Sequence, residues 1–438
     1  MLATVAGGSL VGGDGSGDPI VTTVVTDSRL AAPGSLFVAL RGERRDGHRF
    51  VEEALRAGAV AAMVEAGRSA ARPRVEVEDP LRALRDLAAH HRTGLTTPVA
   101  AITGSTGKTS TKDLLGSALG PGTWAAPRSY NNEIGVPLTV LGVPQAARAV
   151  VLEVGSRGRG DITWLAPAIR PHVAVLTNAQ VAHLETFGSL EGVREAKWEL
   201  MEALEPGGVG VVPADDQALN SRPLPARLTF GRGAGDVAVE GLRLDDGGRP
   251  AFALRTFQGQ AEVRLSMAGA HQAVNAAAAA AAALALGRRL EELVPGLERA
   301  TASPWRMELH RGRFTVVNDA YNANPASVRS ALESVAAMPG RHLAVLGRMA
   351  ELGMVSHEEH LRMGRLAADL GFAAVVVVGD DPGLAEGAGS IARAAVDSEE
   401  ASALLADLVE PGDVVLVKGS RVVGLERLAA RLAEAASS

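Results

Sequence analysis

The chain has 438 residues, a formal net charge of -6 and no cysteine. Its length exceeds what a single hydrophobic core usually supports, so we expect three domains. The acidic balance argues against a nucleic-acid-binding protein, because such proteins usually present a net basic face to phosphates. Without cysteine there is neither a disulfide framework nor a thiolate metal site, which is compatible with a reducing compartment.

The N-terminal region carries no targeting signal that we can recognise. The first basic residue is Arg29, so the positively charged start of a signal peptide is missing. No run of about 18 apolar residues occurs, and the longest candidate, 276–286, is mostly alanine. We therefore expect a soluble, cytoplasmic protein with no membrane insertion.

The first predicted domain covers residues 1–95. It contains the apolar strand LFVAL at 36–40, followed by a helical stretch at 50–57 that Gly58 closes. This order of elements predicts a small α/β domain.

The second predicted domain covers residues 96–301. Apolar strands are expected at 98–103, 150–154 and 172–177, and each is followed by glycine or polar residues and then by a helical pattern. Such runs predict a buried, mostly parallel sheet with helices on both faces. An alanine-rich helix at 271–286 ends the pattern; its eight successive alanines are compatible with close packing or with compositional bias.

The third predicted domain covers residues 302–438. Four apolar strands are expected at 313–320, 341–347, 373–379 and 413–419, each ending near glycine or an acidic residue, with helices between them. This pattern predicts an open, doubly wound sheet of the Rossmann-like type. The whole chain is thus predicted to be a three-domain α/β protein.

A glycine-rich segment follows the strand at 98–103 and indicates a phosphate-binding loop. Gly104, Gly107 and the N-terminus of the following helix can present N–H groups to phosphate oxygens. Lys108 can add a mobile positive charge and Thr109 a hydroxyl for Mg²⁺. The usual loop has four residues between its first glycine and the glycine-lysine pair, whereas this one has two. The alternative is an ordinary strand-to-helix turn with a surface lysine.

Three further side chains could complete such a site. Glu153 ends the strand at 150–154, where an acid can bind Mg²⁺ beside a phosphate loop, but an acid at a strand end can also be incidental. His183 follows the third strand and could equally be an ordinary hydrogen-bonded histidine. Lys197, in the helical segment EAKWEL, would by default be a solvated lysine.

Together these segments resemble the Mur ligase family of peptidoglycan synthesis over nearly the whole chain. The resemblance rests on TGSTGKTS (103–110), Glu153, His183, Lys197, HQAVNAAAA (271–279), WRME (305–308) and NDAYNANP (318–325). It explains the short loop and implies ATP as a substrate, with Lys108, His183 and Lys197 as catalytic residues. It also implies two Mg²⁺ ions held by Thr109, Glu153, His183 and a carbamylated Lys197. The ATP contacts that we expect are Gly104, Ser105, Thr106, Gly107, Lys108, Thr109, Ser110, Asn275, Arg306 and Asp319.

Within the family, the chain is most similar to the member that adds D-alanyl-D-alanine to UDP-N-acetylmuramoyl-tripeptide. YNNEIGVPLTVL (130–141) and DAYNANPAS (319–327) carry this similarity. It implies an acyl-phosphate intermediate and an N-terminal domain that binds the UDP-linked substrate. It also implies that the C-terminal domain is the D-alanyl-D-alanine side of the site and closes over ATP. We expect a monomer whose substrate contacts include Ser28, Arg29, Asn131, Asn132, Ser156 and Arg157. The third residue of the tripeptide, lysine or diaminopimelate, is left open.

The chain departs from the usual family pattern at Thr106, Ser129, Tyr130, Gln272, Trp305 and Arg348. Arg348 stands where an acidic residue is usual, and it could alter the acceptor preference or be a surface change without consequence. Two alternatives to the proposed activity remain. One is another amide ligase of the superfamily, such as a different Mur ligase or a folylpolyglutamate synthase; the other is a non-catalytic nucleotide-binding homologue.

Overall fold

The computed structural model describes residues 1–12, 20–42, 45–127, 129–180 and 184–437. Three β-sheets with flanking helices are formed by successive parts of the chain, which confirms the predicted α/β class. Because the strands of each sheet fall inside 1–95, 96–301 and 302–438, we propose these ranges as the three domains. None of the helices within the described ranges combines the length and the apolar character needed to cross a bilayer.

The N-terminal sheet has five strands, all parallel except the first. Asp79 Oδ1 accepts a hydrogen bond from the backbone N–H of Leu81 at 2.8 Å, which fixes the start of the helix that joins this region to the next. The predicted strand and helix are confirmed with slightly shorter bounds. The elements are α1 (Leu2–Val5), β1 (Ser9–Val11), β2 (Thr23–Val25), β3 (Ser35–Val38), α2 (Val51–Arg56), β4 (Ala61–Glu65), β5 (Arg74–Val77) and α3 (Pro80–Thr93).

The central sheet has nine strands. Its strands are β6 (Val99–Thr103), β7 (Thr123–Ala125), β8 (Ala149–Glu153), β9 (Val173–Leu176), β10 (Val209–Pro213), β11 (Arg227–Arg232), β12 (Val237–Leu244), β13 (Pro250–Thr256) and β14 (Gly259–Arg264). They lie in the order β14-β13-β12-β11-β10-β9-β6-β8-β7. The part from β7 to β12 is parallel, as predicted, whereas β12, β13 and β14 form an antiparallel extension that we did not predict.

Helices cover both faces of the central sheet. They are α4 (Lys108–Leu119), α5 (Gly135–Leu141), α6 (Asp161–Ile169), α7 (Leu184–Phe187), α8 (Leu190–Glu202), α9 (Gln217–Asn220), α10 (His271–Ala285) and α11 (Leu290–Arg299). The alanine-rich α10 packs against α4 and the sheet, and its alanines at 276–283 are fully buried. Close packing therefore accounts for the alanine run, since a larger side chain there would overpack the core and lower the free energy of unfolding by about 1–3 kcal/mol.

The C-terminal sheet has six strands in the order β15-β16-β20-β17-β18-β19, of which only β15 is antiparallel to its neighbour. The strands are β15 (Glu308–Arg311), β16 (Thr315–Asn318), β17 (His342–Gly347), β18 (Ala374–Val378), β19 (Ala392–Ala395) and β20 (Val414–Lys418). The four predicted strands correspond to β16, β17, β18 and β20. The short β15 and β19, which include exposed residues, were not predicted.

This sheet is doubly wound, as predicted. Its helices are α12 (Pro325–Ala336), α13 (Ser356–Asp369), α14 (Pro382–Ala388), α15 (Ser398–Leu408) and α16 (Glu426–Ser437). The first three pack on the face that carries Val317 and Leu346, and the last two on the face that carries Val316 and Val345. Successive residues of one strand thus point to opposite buried faces, which explains the continuous apolar runs in the sequence.

Candidate active site

A cleft of about 1490 Å³ lies between the central and C-terminal sheets. Residues from both sides line it, and Leu81 of α3 reaches it from the N-terminal region. The structure brings most of the predicted site residues together in this one cleft. Those that line it are Gly104, Ser105, Thr106, Gly107, Lys108, Thr109, Ser110, Asn131, Asn132, Glu153, Ser156, Arg157, Lys197, Asn275, Arg306 and Asp319.

The predicted phosphate-binding loop connects β6 to α4, and its two glycines are required by its shape. Gly104 has φ +148°, and a Cβ there would lie 1.9 Å from Thr177 Oγ1. Gly107 has φ +79°, and a Cβ there would lie 2.5 Å from Asn275 Oδ1. Both positions therefore exclude a side chain. The helix starts at Lys108, so its unpaired N–H groups face the cleft.

The end of β9 holds this loop in place. The backbone N–H of Thr106 donates to Asn178 Oδ1 at 3.0 Å, and Asn178 Nδ2 donates to Thr106 Oγ1 at 3.0 Å. Thr177 Oγ1 donates to the carbonyl of Thr106 at 2.6 Å. Thr106, which departs from the usual family pattern, is thus hydrogen-bonded through its N–H, its carbonyl and its hydroxyl group. We did not predict this role for Thr177 or Asn178, although polar residues directly after a strand were the available signal.

Lys108 folds back across the loop. Its Nζ donates to the carbonyl of Gly104 at 2.6 Å and to that of Ser105 at 3.4 Å. Burial lowers the pKa of Lys108, while the negative charge of Glu153 acts in the opposite direction. Lys108 is half-buried, and it can exchange these two carbonyl oxygens for phosphate oxygens.

Glu153 is fixed at the end of β8 by two hydrogen bonds. Thr109 Oγ1 donates to its Oε2 at 2.9 Å, and Asn131 Nδ2 donates to its Oε1 at 2.7 Å. The residue is 1% exposed. Each carboxylate oxygen therefore has one donor among the described residues and keeps a lone pair that can accept another ligand. Asn131, which we predicted to contact substrate, is thus in direct contact with the predicted metal ligand.

Lys197 lies buried in α8, so the alternative of a solvated helix lysine is wrong. It is 2% exposed, and its Nζ lies 5.5 Å from the centre of the Phe187 ring. Burial, together with the positive charge of Lys108, lowers the pKa of Lys197 to about 7. Its Nζ has neither a hydrogen bond nor an ion pair to any residue that the structure describes.

The structure describes only part of the predicted metal site. His183 lies outside the described residues. Among the residues that are described, histidine, aspartate and glutamate side chains do not form a group of three that could hold a metal ion. Thr109 and Glu153 still offer a hydroxyl and a carboxylate on one cleft wall, and Mg²⁺ is commonly held by one or two carboxylates together with substrate phosphates.

Arg306 reaches the cleft from the C-terminal side. Its guanidinium lies 4.1 Å from the centre of the Tyr321 ring, and its Nη2 donates to Ser129 Oγ at 3.4 Å. Its Nε is buried without a hydrogen-bond partner among the described residues. Trp305 has φ +63°, a conformation that favours glycine.

Asp319 is held by a buried ion pair at the end of β16. Lys418 Nζ donates to Asp319 Oδ2 at 2.5 Å, and the backbone N–H of Met307 donates to Oδ1 at 3.1 Å. Lys418 is 2% exposed. The ion pair leaves the Asp319 carboxylate orientated at the cleft surface and neutralised by its partner.

Asn275 and Gln272 link α10 to the phosphate-binding loop. Asn275 Nδ2 donates to Gln272 Oε1 at 2.9 Å, and Gln272 Nε2 donates to Ser110 Oγ at 3.4 Å. Gln272, which departs from the usual family pattern, therefore has a hydrogen-bond partner at both its Oε1 and its Nε2. His271 lines the cleft as well, and burial lowers its pKa. No role was predicted for His271.

Some of the predicted substrate-binding residues line the cleft and others do not. Asn132 Oδ1 accepts from the backbone N–H of Gly135, the first residue of α5, at 2.8 Å. Ser156 Oγ is buried without a hydrogen-bond partner among the described residues, and Arg157 is exposed in the cleft. Ser28 and Arg29 do not line the cleft; Ser28 Oγ donates to Glu53 at 3.1 Å, and Arg29 pairs with Asp27.

The chain is similar to known proteins over nearly its whole length. Three family models match successive regions: the Mur ligase family catalytic domain at residues 20–92, the Mur ligase middle domain at 102–283, and the Mur ligase glutamate ligase domain at 305–421. A UDP-N-acetylmuramoyl-tripeptide--D-alanyl-D-alanine ligase of Mycobacterium bovis is 38% identical, and the alignment covers 98% of this chain and 96% of the relative.

Solved structures agree with these matches. A crystal structure of MurF from Acinetobacter baumannii superposes with a TM-score of 0.90 at 34% identity, covering 99% of this chain and 98% of that one. The MurF ligase from Thermotoga maritima, solved in complex with ADP, superposes with a TM-score of 0.86 at 30% identity and covers 95% and 98% of the two chains. The chain belongs to the Mur ligase family.

Proposed function

We propose that this chain is an ATP-dependent amide ligase that joins D-alanyl-D-alanine to UDP-N-acetylmuramoyl-tripeptide in peptidoglycan precursor synthesis. The observation that carries the proposal is the cleft in which the phosphate-binding loop, Glu153 and Arg306 come together. The high similarity to relatives that bear this name over nearly the whole chain supports the choice of substrates.

The first step is attack of the tripeptide's terminal carboxylate on the γ-phosphorus of ATP. A carboxylate oxygen forms the new P–O bond, the bond to the β-phosphate oxygen breaks, and ADP leaves. Two anions must approach each other in this step. The main requirement is therefore positive charge placed beside the transferred phosphoryl group. Lys108, the N–H groups of the loop and the buried Nε of Arg306 can supply it.

The second step is attack of the dipeptide's amine on the carbonyl carbon of the acyl phosphate. The C–N bond forms, the C–O bond to phosphate breaks, and the amine loses a proton. Water would compete with the amine at this carbonyl. Because Arg306 and Asp319 come from the C-terminal part and the loop from the central part, we propose that closure of the C-terminal domain assembles the site and excludes water.

Mg²⁺ fits the oxygen donors on this wall. Thr109 and Glu153 would hold one ion together with phosphate oxygens, and we propose that a carbamylated Lys197 and His183 serve a second. The ions would neutralise charge on the phosphates during transfer. A neutral lysine amine can add CO₂ and release a proton to become a carbamate, and a pKa of about 7 keeps a large fraction of Lys197 neutral. An uncharged or carbamylated Lys197 also avoids repelling the ion.

The remaining substrate contacts are proposed from position and from the sequence resemblance. Ser156 and Arg157 face the cleft beside Glu153, so we propose that they contact the tripeptide or its sugar, with Asn132 nearby. Ser28 and Arg29 are proposed to contact the uridine nucleotide. We also propose that the protein acts as a monomer in the cytoplasm.

A coupled ADP-release assay tests the proposal. The purified protein is given ATP and Mg²⁺ with UDP-N-acetylmuramoyl-tripeptide carrying lysine or diaminopimelate, with and without D-alanyl-D-alanine. We expect sustained ADP release only with all substrates, and a product heavier by the dipeptide minus water. Sustained turnover with folate and glutamate instead would identify a folylpolyglutamate synthase. ATP binding without any phosphate release would identify a non-catalytic homologue.

A further inference from the structure

The segment between β8 and α6 is glycine-rich and leads into the N-terminus of a helix, as the phosphate-binding loop does. This β8–α6 loop has the sequence VGSRGRG at 154–160, and its Ser156 and Arg157 line the cleft. A loop of this kind binds anions through its backbone only if the N–H groups are free to donate. In the β8–α6 loop and the first turn of α6, four backbone N–H groups already donate to carboxylates of the protein. Side chains are therefore what this loop offers to a ligand.

Asp161, the first residue of α6, folds back over the β8–α6 loop. Its Oδ2 accepts from the backbone N–H of Arg157 at 2.8 Å and from that of Gly158 at 2.9 Å. On the other side, the hydroxyl of Thr186 donates to the carbonyl of Arg157. The backbone of Arg157 is thus held through both of its polar groups, while the Arg157 side chain is exposed in the cleft.

Glu199 of α8 fixes the other end of the same loop. Its Oε1 accepts from the backbone N–H of Gly160 at 2.6 Å, and its Oε2 accepts from that of Thr163 at 2.9 Å. Gly160 precedes α6 with φ +88° and has no side chain with which to cap it. One carboxylate from a different helix therefore satisfies two N–H groups that lack a partner within α6, and its negative charge interacts favourably with the helix dipole.

Glu199 is also the stronger of two links that we find between α8 and the loop. Arg159 pairs with Glu195 of α8, but these side chains are 64% and 39% exposed, and exposed ion pairs contribute little. Glu199 is half-buried, and it bonds to the backbone. It does not line the cleft, so any effect of Glu199 on a ligand must pass through the loop. Lys197 belongs to the same helix, so α8 connects the proposed metal site with the loop.

We propose that Glu199 is a positioning residue for the UDP-linked tripeptide. It holds the β8–α6 loop so that Arg157 presents its guanidinium to an anionic group of this substrate. A planar guanidinium binds a carboxylate or phosphate best through two parallel N–H groups, so its affinity depends on how the backbone beneath it is held. The inference rests on the proposed function and names a residue that sets the affinity for one of its substrates.

The test measures the Kd of UDP-N-acetylmuramoyl-tripeptide by isothermal titration calorimetry, with Mg²⁺ and a non-hydrolysable ATP analogue present. Arg157→Ala should raise this Kd by about 10- to 100-fold, the range of a hydrogen bond to a charged group. Glu199→Ala should raise it about tenfold, because the guanidinium remains but is no longer oriented. In turnover, the KM for the UDP-linked tripeptide should rise by the same factor, with unchanged KM values for ATP and D-alanyl-D-alanine.

A double-mutant cycle shows whether Glu199 acts through Arg157. Once the guanidinium is absent, the position of the loop no longer matters to the ligand. Glu199→Ala should therefore change the Kd of the Arg157→Ala protein by less than about twofold, whereas a general structural role predicts that the two losses multiply. Glu199→Gln, which keeps one acceptor oxygen, should give an intermediate Kd.

Glu202→Ala is the matched control, because Glu202 is an exposed glutamate of the same helix that does not line the cleft. It should keep the wild-type Kd. Thermal unfolding of each variant checks that it is folded at the temperature of the titration.

The outcomes separate this inference from the proposed function. Wild-type protein that neither binds the UDP-linked tripeptide nor forms the amide would overturn both. If the wild type is active, three results would each overturn the inference alone: a wild-type Kd in folded Glu199→Ala and Glu199→Gln, multiplying losses in the cycle, or an equal loss in Glu202→Ala. A wild-type Kd in Arg157→Ala would also overturn it, since the loop would then present nothing to the substrate through this side chain.

Discussion

Replacing Lys197 with methionine should make the protein more stable and inactive. The side chain is 2% exposed, and burial with the charge of Lys108 lowers its pKa to about 7. In the unfolded chain a lysine has a pKa of about 10.4. At pH 7 the folded protein therefore keeps about half of this group neutral, while the unfolded chain protonates it almost fully. Methionine has a similar length and carries no charge.

The size of the effect follows from the two pKa values. A shift of one unit corresponds to about 1.4 kcal/mol, so the unfavourable contribution of Lys197 to folding is about 4 kcal/mol at pH 7. It is fully present below pH 7. It disappears as the pH rises from 7 to about 10, because the unfolded chain then loses its proton too. At about 2–4 °C per kcal/mol, unfolding of the central region should shift upward on the order of 10 °C.

Thermal unfolding of wild type and Lys197→Met from pH 6 to pH 10 measures this. The buffer should be free of magnesium and CO₂, so that the wild-type amine stays unmodified. Lys112→Met is the matched control, because Lys112 is also buried but lies 3.2 Å from Asp113 Oδ1 and donates to the carbonyl of Ala126 at 3.0 Å. Its loss should destabilise the protein. A Lys197→Met variant no more stable than wild type at pH 7, or a gap that persists at pH 10, would refute the reasoning.

Three further predictions address the cleft. Lys108→Ala should reduce the rate of ADP release by about 10³-fold with an unchanged circular dichroism spectrum, because the negative charge on the transferred phosphoryl group is no longer stabilised by the lysine. A near-wild-type rate would exclude Lys108 from the mechanism. Asn131→Ala should raise the Mg²⁺ concentration for half-maximal activity by about 10- to 100-fold, since Glu153 loses the donor at 2.7 Å; an unchanged Mg²⁺ dependence would contradict this role. Solution scattering should show compaction when a non-hydrolysable ATP analogue and the UDP-linked tripeptide are both bound, and no change at saturation would argue against domain closure.

Features that depend on neighbouring residues could be predicted from the sequence. The phosphate-binding loop and the buried strands around it are local patterns, because glycine conformation and continuous apolar runs are encoded over a few residues. Gly104, Gly107 and Lys108 were identified in this way. The position of Glu153 followed from the same strand pattern, since parallel strands end at one edge of the sheet.

Features that depend on distant contacts could not be predicted. The antiparallel β12–β14 extension was missed because a register shift between Glu240 and Arg243 interrupts the alternation of buried and exposed residues along β12. The burial of Lys197 is a property of packed helices and not of the segment EAKWEL. The hydrogen bond from Asn131 to Glu153 joins residues 22 positions apart, and Arg421 meets Trp305 only in the folded C-terminal sheet.

The path of the carboxylate oxygen tests the account most directly. The tripeptide's terminal carboxyl is labelled with ¹⁸O in both oxygens, and the inorganic phosphate formed during turnover with ATP, Mg²⁺ and D-alanyl-D-alanine is analysed by mass spectrometry. Because the carboxylate oxygen that attacks phosphorus stays with phosphate when the amine displaces it, each new phosphate should carry one ¹⁸O. Amide product formed together with unlabelled phosphate would contradict the acyl-phosphate mechanism.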